Sequence, residues 1–121
     1  MVELLCETDF VARNEEFRGL ARDIAMHIAA LAPEYVKQED VPEEAKSKAR
    51  ELFLSEIADK PKEMQEKILE GKMQNYLAEK VLIDQNFIKN PEMTIKSLVE
   101  SASQKFGERT EIGRICRFSI N

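Results

Sequence analysis

The sequence predicts an α+β fold in which a small antiparallel sheet packs against helices and an antiparallel helical hairpin protrudes from it. Three observations carry this expectation. Both ends of the chain read as strands, most of the chain between them runs in helical period, and one tight break divides two long charged helical stretches. With 121 residues and 43% hydrophobic content, one domain spanning 1–121 with a single buried core is expected.

Residues 2–6, VELLC, put Val2, Leu4 and Cys6 on one face of a short strand. Because the chain starts inside this run, the strand reads as truncated, and a third strand is expected to precede residue 1, since two strands alone are marginal. From Asn14 the pattern turns helical, with Phe17, Leu20, Ala21, Ile24, Ile28 and Leu31 at three- and four-residue steps. Asn14 suits the N-cap, Glu15 and Glu16 the first turn, and Ala32-Pro33 the stop.

Asp40 is expected to cap the next helix, with Pro42 in its first turn and Glu43 completing a capping box. That helix runs over about 42–58 with a narrow stripe of Ala45, Ala49, Leu52, Phe53 and Ile57. After the break at Asp59-Lys60-Pro61-Lys62, a second helix continues through Met64, Ile68, Met73, Tyr76 and Leu77. So short a connection folds the pair back on itself as a hairpin over about 40–80.

Val81-Leu82-Ile83 reads as a short extended segment, and Asn86 to Pro91 as a loop ending in a turn. Thr94 caps a helix carrying Ile95, Leu98, Val99, Ala102 and Phe106 on one face, and Gly107 closes it as a left-handed residue. The tail from 111 to 120 alternates, so a last strand is expected with Ile112, Cys116, Phe118 and Ile120 on one side.

Composition excludes several function classes. A net charge of −5 and the lack of a Lys/Arg run argue against nucleic acid as a direct partner. No apolar run approaches the roughly 20 residues needed to span a bilayer, and the interleaved charges of the hairpin leave no basic face for a membrane surface. The start lacks a secretory layout, so the cytoplasm is the expected location. The four glycines stand singly, without a phosphate-binding loop. Two cysteines 110 positions apart and a single histidine, His27, offer neither a metal site nor a cofactor site. A Cys6–His27 thiol mechanism has nothing to place its members together, and Glu7 and Asp9 read as a strand end and a helix-start cap rather than as an acid/base pair. No catalytic residue is expected.

What the pattern leaves unexplained is Phe10, in the junction TDFVARN between strand and helix. Its ring either staples the two elements or is presented to a partner. The run CETDFVARNEEF resembles the signature at the start of the core of translation elongation factor Ts. IAMHIAALAPEYV, DKPKEMQEKILEGKMQNYL, QNFIKNPEMT and FGERTEIGRICRFSI resemble successive family segments in the same order.

The resemblance implies a guanine-nucleotide exchange factor that binds elongation factor Tu in its GDP-bound and nucleotide-free forms. Thr8, Asp9, Phe10 and Val11 match the segment that dislocates the partner's magnesium, with Phe10 inserted between helices of the G domain. Ile88 and Lys89 match a second contact on the partner's other domains, and Phe106 and Gly107 a third at the end of the last helix. The helical spacing of Phe106 puts its own side chain in the core, whereas Ile88 stays open between loop anchor and contact. The hairpin corresponds to a family coiled coil that either contacts the partner or is structural only. Full-length members begin with a ubiquitin-associated-type module and a first core strand, both missing here. Like the short family forms, the chain carries one core subdomain, which implies a homodimer, with Cys116 a candidate dimer contact. The alternative function is a helical-hairpin interaction scaffold without exchange activity.

Overall fold

The two ends of the chain meet. In the computed structural model, which describes residues 1–120, β1 (Val2–Leu5) pairs antiparallel with β4 (Glu111–Ile115). Val2 lies opposite Ile115 and Leu4 opposite Ile112, so two steps along β1 face three along β4 and the extra residue bulges there. Gly113 lies in the bulge, where the Glu3 side chain crosses close over its backbone. The Glu3 carboxylate reaches over it to Arg114 Nη2 at 2.9 Å. Their hydrogen bond lowers the Glu3 pKa and raises that of Arg114.

Helix α1 (Asp9–Ala12) is one turn long, and α2 (Glu15–Leu31) follows it after a two-residue elbow. Asn14 caps α2 as expected, its Oδ1 accepting the N–H groups of Glu16 at 2.8 Å and Phe17 at 3.4 Å. Ala32 closes it in the left-handed region, φ 50, ahead of Pro33. The core is built on this helix. Ile24 and Ile28 cluster with Val36, Leu82, Phe87, Ile95 and Ile112, and Val2, Leu4, Leu20, Ile83, Leu98, Val99 and Ile115 pack around them. Each fully buried aliphatic side chain contributes about 1.5–3 kcal/mol. Leu31, expected on the buried stripe, is exposed at the helix end.

The hairpin forms as expected, from α3 (Glu43–Glu56) and α4 (Lys62–Lys80). Phe53 meets Tyr76 edge-on at 6.2 Å, Lys72 pairs with Glu56 at 2.7 Å, and Gln65 Nε2 donates to the Lys60 carbonyl at 2.8 Å across the turn. Ala49, Ile57 and Leu69 are its buried positions, whereas Leu52, expected in the stripe, is exposed. No member of the core cluster comes from α3 or α4. At its base the hairpin is stitched to the segment after α2: Glu34 and Tyr35 N–H donate to the Lys80 carbonyl, and Leu82 N–H donates to that of Tyr35 at 2.7 Å.

Three local expectations are corrected. Asp40 does not cap α3. Its carboxylate accepts the Lys37 N–H at 3.2 Å, closing the 3-10 turn Gln38–Asp40, and Pro42 occupies the N-cap without a side-chain bond. The stretch 86–91 is not a plain loop, since β2 (Asn86–Phe87) and β3 (Asn90–Thr94) form a second antiparallel pair that leads directly into α5 (Ile95–Phe106). Thr94 caps α5 by accepting the Ser97 N–H at 3.1 Å, as read from the sequence. Finally, β4 ends at Ile115, so Cys116, Phe118 and Ile120 lie beyond the strand, and the last two are exposed. The α+β class stands, with two small sheets instead of one.

Candidate partner-binding site

Phe10 is presented. Its ring is 90% exposed on a helical turn held at Thr8 and at Val11. Thr8 is the N-cap of α1, its hydroxyl oxygen 3.5 Å from the Val11 N–H. Val11, one residue past Phe10, is buried and roots the turn. Ala12 N–H donates to the Thr8 carbonyl at 3.2 Å and Arg13 N–H to that of Asp9 at 3.0 Å, after which Asn14 opens α2. Thus Thr8 rather than Asp9 is the cap, with Asp9 in the first turn. Neither a core cap nor a staple describes this ring, because it packs on nothing that would bury it.

A second segment braces the turn. Glu108, just past α5, accepts with one oxygen the N–H groups of Glu7 at 3.1 Å and Thr8 at 2.9 Å, and with the other the Thr8 hydroxyl at 2.5 Å. In return, Glu7 Oε2 accepts the Arg109 N–H at 3.2 Å. The expected contact residues Phe106 and Gly107 therefore stand beside the expected Thr8–Val11 segment. Phe106 is half-buried, its ring meeting buried Phe17 edge-on at 5.7 Å, so it belongs to the packing beneath the site. Gly107 is exposed at φ 65 and turns the chain so that Glu108 reaches the elbow.

Ile88 and Lys89 occupy the turn between β2 and β3, held against the middle of α2. Lys89 Nζ pairs with Asp23 at 2.7 Å, and the Ile88 N–H donates to His27 Nδ1 at 3.1 Å. The Ile88 side chain is 46% exposed, neither anchored in the core nor fully presented. His27 is fully buried, and its Nε2–H donates to Gln85 Oε1 at 2.9 Å. Gln85 in turn donates from Nε2 to the Glu79 carbonyl at 2.7 Å. The relay fixes the imidazole as neutral with a bare Nδ1, and burial lowers its pKa, which the Gln85 bond opposes in part.

This accounts for the thiol question as well. Both ring nitrogens of His27 are engaged by Gln85 and Ile88, while Cys6 Sγ donates to the Thr8 carbonyl at 3.3 Å, so no thiol–imidazole pair forms. Cys116 is half-buried beside the first residue, its N–H donating to the Met1 carbonyl at 3.0 Å and its carbonyl accepting the Met1 ammonium at 2.8 Å. Among the described residues no group of three or more His, Cys, Asp or Glu side chains is placed to hold a metal ion. No helix among them is long and apolar enough to cross a membrane.

Glu108, Asp23, His27 and Gln85 escaped sequence reasoning as site residues. His27 alone had a legible signal. It lies three residues from Ile24 and seven from Leu20, on the buried stripe, where an imidazole requires partners. The carboxylate of Glu108 had none, because its partners are a hundred positions away.

Residues 18–121 match the family model described as Elongation factor TS, a match that begins after the Phe10 turn. Over 99% of its length the chain is 51% identical to the Elongation factor Ts of Thermodesulfovibrio yellowstonii and 46% identical to that of Carboxydothermus hydrogenoformans. Identity to the Geobacter sulfurreducens protein of the same name is 41%. The chain spans 61%, 56% and 56% of these relatives' own lengths.

Proposed function

The chain belongs to the elongation factor Ts family, and from that premise we propose that it is a guanine-nucleotide exchange factor acting in translation elongation on elongation factor Tu in the cytoplasm. It acts by binding, without catalytic side chains. Phe10 enters the partner's G domain and displaces groups that hold magnesium and the nucleotide phosphates. Loss of the cation leaves phosphate charge uncompensated, and GDP leaves. The reading rests on one observation above others: Phe10 is almost wholly exposed on a turn held on one side at Thr8 and on the other at Val11.

The energetics are those of linkage. A phenylalanine side chain moved from water into an apolar slot supplies about 1.5–3 kcal/mol. It accelerates release only to the extent that the slot exists in the nucleotide-free state and not in the GDP-bound one, and bound nucleotide weakens the factor's binding by the same coupling energy. Exposing the ring in the free protein is tolerable because one such residue on a charged surface is below the size of an aggregating patch.

The Ile88–Lys89 turn and the exposed Gly107 backbone supply further contacts. Asn14 and His27 are thirteen positions apart on α2, about 20 Å at 1.5 Å per residue, so the two stations reach separate parts of a partner. The test is release of labelled GDP from elongation factor Tu. Phe10→Ala should slow release about ten- to a hundredfold while leaving the circular dichroism spectrum intact. Unchanged release would refute the wedge, and binding without any acceleration would favour the scaffold reading.

A homodimer completes the reading, with Cys116 near its contact. Mild oxidation should then yield a covalent dimer on non-reducing electrophoresis that Cys116→Ser abolishes; a dimer persisting in that variant would exclude Cys116 as the link.

A further inference from the structure

We propose that Glu108 is the positioning residue for Phe10: its carboxylate, bound to two backbone N–H groups and a hydroxyl of the Glu7–Thr8 segment, sets the turn from which the ring projects. The proposal rests on the exchange reading for its functional consequence and on geometry alone for its structural one.

A four-residue helix cannot sustain itself. Nucleating one turn fixes several dihedral angles for a single hydrogen bond, and α1 has no length over which propagation recovers that cost. The turn therefore depends on tertiary fastenings, of which there are two. Val11 is buried on the C-terminal side of Phe10, and this holds the base of the turn without fixing the direction of its first residues. On the N-terminal side, among the described residues, Glu7 and Thr8 find their long-range partners in Glu108 and Arg109. Two residues are thus fixed at three atoms by one carboxylate, and that carboxylate stands on the residue after Gly107.

The geometry also sets direction. Thr8 uses its hydroxyl twice, donating its hydrogen to Glu108 Oε2 and accepting the Val11 N–H. The bond to Glu108 consequently orients the lone pair that caps α1. Removing the carboxylate frees the hydroxyl to rotate and the N–H groups to turn to water. Because all these groups are near the surface, water satisfies them, and the loss is one of order rather than of folding.

The experiment compares Glu108→Ala, Phe10→Ala and the double variant with the unmodified chain. Two readouts are used: backbone chemical shifts with amide hydrogen exchange by NMR, and labelled-GDP release from elongation factor Tu. In Glu108→Ala the shifts of residues 9–12 should move toward coil values. The amides of Glu7, Thr8 and Val11 should exchange at least tenfold faster, while those of α2 and α5 keep their protection. Release should fall to within a few-fold of the Phe10→Ala rate, and the double variant should be no slower than Phe10→Ala. Thr8→Ser keeps both hydroxyl bonds and should retain release. Thr8→Val keeps the two N–H bonds to Glu108 and loses only the hydroxyl pair, so its shifts at residues 9–12 should move less than those of Glu108→Ala.

Helical shifts retained at 9–12 in Glu108→Ala would overturn the proposal. So would losses that multiply in the double variant, because Glu108 would then act independently of the ring. Should Phe10→Ala leave release unchanged, the wedge role fails, and the NMR arm by itself decides whether Glu108 holds the turn.

Discussion

The two stations along α2 are built by opposite means. At the Phe10 station the fastening is a charged carboxylate near the surface, holding an element too short to stand alone. At the Ile88 station it is a neutral relay of Ile88, His27, Gln85 and Glu79, largely sealed inside the protein. A surface clamp can be undone without unfolding, since water replaces each bond it made. A buried relay cannot, because each group left without a partner carries its full desolvation cost. The difference teaches where adaptability resides: the Phe10 turn is held by a reversible tie, whereas the Ile88 turn hangs on a relay rooted in the buried interior.

Breaking the comparison is most direct at its inner end. His27→Leu leaves the Ile88 N–H and Gln85 Oε1 without their partner and should destabilise the fold by about 2–3 kcal/mol in chemical denaturation. Amide protection around Glu7 and Thr8, measured under native conditions, should hardly change. Equal loosening of both stations would show that they are one unit.

Acidification should act on the inner station next. Burial depresses the His27 pKa below its ordinary 6.5, so the unfolded chain takes up the proton first. The stability this provides is complete above about pH 6.5 and declines as pH falls through the depressed value. His27 is the only histidine, so the decline that sets in below about pH 6.5 should vanish in His27→Leu. A matching slope in both proteins would assign the effect to carboxylates instead.

The smallest effect belongs to Lys89→Ala. Its bond to Asp23 is short, but both partners are solvent-accessible, so the change in unfolding free energy should stay below about 1 kcal/mol. A larger loss would mean that the turn, like His27, is an integral part of the core.

Much of this arrangement was legible. Asn14, Thr94 and Gly107 announced the ends of α2 and α5 because caps are local, written within a few residues of where they act. The hairpin was legible from the break at Asp59-Lys60-Pro61-Lys62 between two stretches of helical period. The β2–β3 pair was not: its turn lacks an Asn-Gly or Asp-Gly signal, and Pro91 inside β3 argues against a strand unless it occupies an unpaired edge position. The tail alternated beyond Ile115, yet the strand ends there and Cys116 meets Met1 through one last pair of backbone bonds, so alternation by itself overstated its length. At Asp40 two local motifs competed for one carboxylate, and the nearer turn took it.

The amino-acid sequence by itself determined the long helices, the caps of α2 and α5, the strands at the two ends and the oddity of Phe10, since period, capping and alternation are short-range properties of the chain. Only the tertiary structure decided that the ring is presented. Its exposure depends on Val11 being buried and on Glu108 closing over Glu7 and Thr8 from a hundred residues away. No local pattern encodes a contact of that span, because it exists only once β1 and β4 have brought the two ends together.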